Sequence, residues 1–224
     1  MRNLLAAAVA IAPLMAATGT QAEVVINTSR TTPITTANAT GSGPDSIRFA
    51  SGGNVNVTSG VAVTVNSNHG LDLDSGSSIS MLASANGSTG ILVTGSNPGT
   101  IVIGGSVTIS DDLEFYPDDD KDGDLDGPWA KGSDRYGLRV NGAGPVTANI
   151  SIEASGTLLV EGNNSYAVSI ESDLVGSFFS LGTMRVTGDN SIAFRSSGDI
   201  SGGVYLGGPI SATGFVLGAV LSGV

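Results

Sequence analysis

The sequence predicts an all-β chain, a right-handed parallel β-helix (β-solenoid) with coils of about 26 residues. Three observations carry this: a composition suited to short strands and tight turns, apolar residues at alternate positions, and an internal repeat of fixed length.

Composition comes first. Hydrophobic residues make up 40% of the 224, yet aromatics are only 5% and charged residues 13%, about half the charge of an ordinary globular domain. There are 33 glycines, and Ser, Thr and Asn fill most of the remaining polar positions. Gly and Asn tolerate positive φ in turns, while Val and Thr favour the pleated backbone. Long helices draw on Ala, Leu, Glu, Lys and Arg instead.

From Gly52 the period-two alternation is plain. Val55/Val57, Val61/Val63/Val65, Leu71/Leu73 and Ile79/Met81 are followed by Ile101/Ile103, Val107/Ile109, Leu138/Val140, Ile150/Ile152 and Val168/Ile170. Gly, Asn or Ser bounds each couplet, so each reads as a short strand with one buried face.

Gly156–Leu181 aligns without gaps on Gly182–Gly207, an offset of 26 residues, and nine of the 26 positions are identical. These are Gly156, Thr157, Val160, Gly162, Asn164, Ser165, Ala167, Asp173 and Gly176 with their partners. A looser motif, a small residue before an apolar couplet, recurs at His69-Gly70-Leu71, Thr89-Gly90-Ile91 and Tyr136-Gly137-Leu138. One such unit cannot bury its apolar face alone, whereas stacked units bury a continuous one. A β-sandwich of hairpins is the competing arrangement, and the fixed spacing favours the solenoid.

The organisation follows. Residues 1–22 have the pattern of a secretory signal peptide: a basic start at Arg2, an apolar run Leu4–Ala17 and small residues leading to Ala22. The run falls short of the ~20 residues that span a bilayer. Residues 23–50 form a low-complexity leader or N-terminal cap, and residues 51–224 the solenoid, with an acidic insertion at 111–134. The chain stops at Val224 partway through a repeat, which predicts a piece of something longer.

Charge and residue types exclude several function classes. The net charge of −11 opposes nucleic-acid binding and adsorption to anionic membranes. No cysteine is present, so disulfide scaffolds and thiol chemistry are out. His69 is the sole histidine and lacks partners for catalysis or zinc; it is expected in a solvent-facing turn, in the slot of Tyr136, Tyr166 and Ile192. No serine lies in a G-x-S-x-G elbow and no phosphate-binding loop occurs. Asp173 and Asp199 occupy equivalent repeat positions, and a turn role explains both.

The insertion is the one segment with metal-ligand spacing. Asp118-x-Asp120-x-Asp122-Gly123-x-Leu125-Asp126 matches the first nine positions of an EF-hand calcium loop. Asp118, Asp120, Asp122 and Asp126 would offer side chains and Asp124 its carbonyl. The twelfth position is Trp129 rather than Glu, and the competing reading is a solvated acidic loop.

With signal, repeats and acidic insert together, the chain resembles the passenger region of bacterial autotransporter (type V secreted) proteins. The repeats at Gly156 and Gly182 and the run from Asp118 to Pro128 leading into Arg135–Val140 carry the resemblance. It implies a surface-displayed β-helix, carried across the outer membrane by a C-terminal barrel and often working in adhesion. The chain departs from that pattern in carrying no barrel, which needs at least about eight spanning strands. The expectation is therefore a non-catalytic, exported passenger at the cell surface or outside the cell, or in the periplasm if truly truncated. Its partners would be an outer-membrane barrel and a glycan or cell-surface ligand. The alternative is a carbohydrate-active β-helix enzyme of the lyase or glycosidase type. Acidic and basic side chains on adjacent coils of one face would favour the enzyme, and a face of Thr, Ser and Asn would favour adhesion.

Overall fold

The computed structural model describes residues 23–111, 118–123 and 126–214. The expected signal peptide lies outside them.

The chain winds as a parallel β-solenoid of about six turns with coils of roughly 28 residues. The first coil holds β1 (Glu23–Ile26), β2 (Ser29–Arg30), β3 (Ile34–Thr35) and a 3-10 turn at Thr36–Asn38. The second holds β4 (Ser46–Phe49), β5 (Asn54–Asn56) and β6 (Val61–Val65), and the third β7 (Leu71–Leu73), β8 (Ser78–Met81) and β9 (Thr89–Val93). In the fourth, β10 (Ile101–Ile103) and β11 (Ser106–Ile109) precede the acidic insertion, with β12 (Tyr136–Val140) and β13 (Val146–Thr147) after it. The fifth contains β14 (Ile150–Ile152), β15 (Thr157–Glu161), β16 (Tyr166–Ile170) and β17 (Leu174–Val175). The sixth contains β18 (Phe178–Ser180), β19 (Thr183–Thr187) and β20 (Ile192–Ser196), and β21 (Val204–Leu206) and β22 (Ile210–Thr213) follow on the next.

Strands stack into three long parallel sheets and a two-stranded one, β13-β17. The first runs β1-β4-β7-β10-β14-β18-β21, the second β2-β5-β8-β11-β15-β19-β22 and the third β3-β6-β9-β12-β16-β20. Residues 23–50, expected as a leader or cap, thus supply β1 to β4, with β1, β2 and β3 at the N-terminal end of each ladder.

Register explains the sequence pattern. Ile47, Leu71, Ile101, Ile150 and Phe178 stand in one buried column of the first sheet. Val55, Ile79, Val107, Leu158 and Met184 form a column of the second, and Val63, Ile91, Leu138, Val168 and Phe194 one of the third. These columns meet in a single continuous core. Burying a side chain of this size stabilises the fold by about 1.5–3 kcal/mol.

The 26-residue repeat is the register itself in the last coils: Thr157 pairs with Thr183, Tyr166 with Ile192 and Phe178 with Val204. Elsewhere the turns vary, so paired residues lie 23 apart at Glu23 and Ser46 and 49 apart at Ile101 and Ile150. Asn164 and Asn190 are equivalent, both with positive φ (50° and 55°), which explains the repeated Asn. The next residue stitches coils together. Ser165 Oγ accepts the Arg135 N–H, and Ser191 Oγ accepts the Ser165 N–H, each at 3.0 Å. Asp173 works similarly, its carboxylate accepting the Asp199 N–H at 3.0 Å.

The small-residue slot also has a cause. A Cβ on Gly137 would stand 2.5 Å from the Ala167 carbonyl oxygen. Gly90, Gly137 and Ala167 share this slot on the third sheet, beside Thr89, Tyr136 and Tyr166. His69-Gly70 does not belong to it, because that pair leads into β7 on the first sheet, and the third-sheet partner of Thr89 in the preceding coil is Val61. His69 is half-buried, with Nδ1 3.3 Å from Ser67 Oγ.

Candidate functional site

The acidic insertion springs from a buried clamp. Asp111 Oδ2 accepts the N–H groups of Lys131 and Gly132 at 2.5 and 2.6 Å and lies 3.5 Å from Arg135 Nη1. The Arg135 guanidinium donates to the Glu161 carbonyl at 2.7 Å and to the Ser84 carbonyl. Glu161 Oε2 in turn accepts the Asp111 N–H at 3.0 Å. Both feet of the insertion are thereby fixed to the third and fifth coils. An isolated arginine ahead of a strand carries no sequence signal for this role.

Within the insertion, carboxylate oxygens of Asp118, Asp120 and Asp126 lie within 4.8 Å of one another. Asp126 Oδ2 accepts the N–H groups of Asp119 (2.6 Å) and Asp120 (3.2 Å), and Asp120 Oδ1 accepts that of Asp122 (3.2 Å). Asp118 Oδ1 is buried and makes no hydrogen bond. Three of the five predicted ligands therefore converge; Asp122 is on the same loop but outside the cluster, and Asp124 lies outside the described residues. Hard carboxylate oxygens around a turn are the donor type that calcium takes, in sets of about six to eight.

Three outward faces surround the core. On the first sheet, Arg48 makes a two-pronged contact with Asp74 at 2.8–3.1 Å and lies 4.0 Å from Glu23. Asp72 is the register partner of Arg48, and burial pushes its carboxyl up, with Asp74 adding to the shift and Glu153 contributing less. On the third sheet, the Tyr136 and Tyr166 rings stack at 5.3 Å. Arg139 lies 4.3 Å over Tyr136 while pairing with Glu171 at 2.7 Å, and Arg195 lies 5.1 Å over Tyr166. Burial pushes the Tyr136 phenol up.

The second sheet differs. Asn54, Ser78, Ser106, Thr157 and Thr183 form an unbroken outward column over five coils. Beside it run Asn56, Ser80, Thr108, Leu159 and Arg185. Rungs of such a ladder repeat at about 4.8 Å, the inter-strand distance. No sequence signal marks these columns, because partners such as Ser106 and Thr157 are 51 residues apart.

Among the described residues, no helix is long and apolar enough to cross a membrane. Comparison with family models, curated proteins and solved structures finds no match to this chain.

Proposed function

We propose that the chain is a non-catalytic passenger of the autotransporter kind, displayed at the cell surface or secreted, whose second-sheet face makes adhesive contacts. The observation that carries this reading is the column Asn54, Ser78, Ser106, Thr157 and Thr183, a regular array of small hydrogen-bonding side chains on a stiff sheet. Small hydroxyls and amides lose little rotamer entropy on contact, and their repeated spacing suits repetitive surfaces such as glycans. Export follows from the residue 1–22 pattern, and an outer-membrane barrel would be the carrier; a periplasmic location holds if the gene encodes no barrel. Calcium is the proposed ion of the insertion, held by Asp118, Asp120 and Asp126 with Asp122 and Asp124 on the same loop, ordering it within the insertion that the Asp111–Arg135 clamp fixes. The test is adhesion of the purified chain to glycan-coated and cell surfaces, with binding expected and complete inertness contradicting it.

A second reading, a carbohydrate-active enzyme, is favoured by one observation: Glu23, Arg48, Asp72, Asp74 and Glu153 gather on the first-sheet face. A raised carboxyl such as Asp72 suits a general acid. Against it, Arg48 is already neutralised by Asp74. Reducing-sugar release from polysaccharides, abolished by Asp72→Asn, would establish the enzyme instead.

A further inference from the structure

A shallow groove of about 150 Å³ crosses the second sheet where the insertion leaves it. Its lining includes Thr108, Ser110, Leu159, Glu161, Arg185 and Thr187. Arg185 points outward between buried Met184 and Val186. Among the described residues it makes no ion pair and no side-chain hydrogen bond. In a chain of net charge −11, Arg185 thus offers this groove a guanidinium with no carboxylate partner among the described residues.

The occupant follows from three constraints. Backbone groups are not on offer, since β15 is paired on both edges by β11 and β19, and β19 by β15 and β22. A peptide therefore cannot dock here by adding a strand, and recognition must come from side chains. Those side chains are hydroxyls, one carboxylate and one guanidinium around the apolar Leu159, a set that matches sugar hydroxyls, a sugar's apolar ring face and an acidic group. Finally, the anion must be weakly charged. Glu161 lines the same groove, with Oε2 accepting the Asp111 N–H, so a dianionic phosphate would meet about twice the repulsion of a monoanion. The planar guanidinium fork fits a planar monovalent carboxylate through two parallel hydrogen bonds.

We infer that this groove binds a carboxylate-bearing saccharide, a uronic acid unit within a glycan, with Arg185 holding the carboxylate. The inference rests on the adhesion reading and adds to it the ligand class.

The experiment measures binding of an oligogalacturonate and of a neutral glucan oligomer of equal length to the full chain, to Arg185→Gln and to Arg195→Gln. Arg185 has no partner to lose, so its variant keeps the fold, and Arg195 lies over Tyr166 on another face. The expected result is preference for the acidic oligomer, weakened by salt and reduced at least about tenfold in Arg185→Gln, with Arg195→Gln unchanged. Equal binding by Arg185→Gln, equal affinity for the neutral oligomer, or no binding of the acidic one overturns the inference. Adhesion that persists through Arg185→Gln leaves the adhesive face standing and removes only its proposed ligand.

Discussion

Asp111 and Arg135 meet at 3.5 Å across the base of the insertion, their side chains only 7% and 2% exposed. Removing one partner of a buried pair leaves the other charge uncompensated, at a cost of about 3–5 kcal/mol. Asp111→Ala also frees the N–H groups of Lys131 and Gly132. Chemical denaturation of Asp111→Ala is expected to show a loss at or above the lower end of that range. A change under about 1 kcal/mol would mean the clamp contributes little.

Ser191 is the second test. Its hydroxyl accepts the Ser165 N–H and donates to the Gly162 carbonyl at 2.6 Å, and both serines are buried. Ser191→Ala leaves a buried N–H unpaired, with an expected cost of about 1–3 kcal/mol. The exposed Ser211→Ala should cost close to nothing in the same thermal melts.

Calcium should raise the melting temperature, because binding only to the folded state adds about 2.7 kcal/mol at a hundredfold excess over Kd. Asp120→Asn should remove most of that gain. Identical melts in calcium and in chelator would make the loop a solvated acidic turn.

Asp72 sets a pH dependence of definite sign. Its carboxyl is raised from 3.8, so the folded state holds the proton more tightly than the unfolded state does. Stability contributed by Asp72 is therefore present at low pH and lost as pH rises from about 3.8 through the raised value. Asp72→Asn is expected to be at least as stable as the parent at pH 7, the difference closing below that window. Destabilisation at pH 7 would show that ion pairing with Arg48 outweighs burial.

Much of the fold was legible because its periodicity is local. Couplets such as Leu71/Leu73 and Ile101/Ile103 alternate within three residues, and the Gly156 and Gly182 copies coincide with true register. Asn164 and Asn190 announced their turn because few residues adopt positive φ at low cost. Legibility failed where position depends on coil length. His69 shares the local motif of Tyr136 but leads into a strand of a different sheet, since motifs of a small residue before a couplet open strands on more than one face. The second-sheet column was hidden likewise, Ser78, Ser106 and Thr157 being separated by unequal turns and an insertion. Arg135 was invisible as a clamp because its partners come from residues 84, 111 and 161. In the acidic run, spacing revealed the convergence of Asp118, Asp120 and Asp126, while the scaffolding role of Asp126 needed the backbone geometry.

The most direct test of the account is adhesion by a chain in which Ser106 and Thr157 are both replaced by Glu. Both positions face outward from the second sheet, away from the buried columns, and circular dichroism would verify that the variant keeps its fold. Binding of the folded variant to glycan-coated surfaces is expected to fall at least about tenfold, while Asp72→Asn binds like the parent. Undiminished binding by the Ser106→Glu/Thr157→Glu variant, or saccharide release that depends on Asp72, would contradict it.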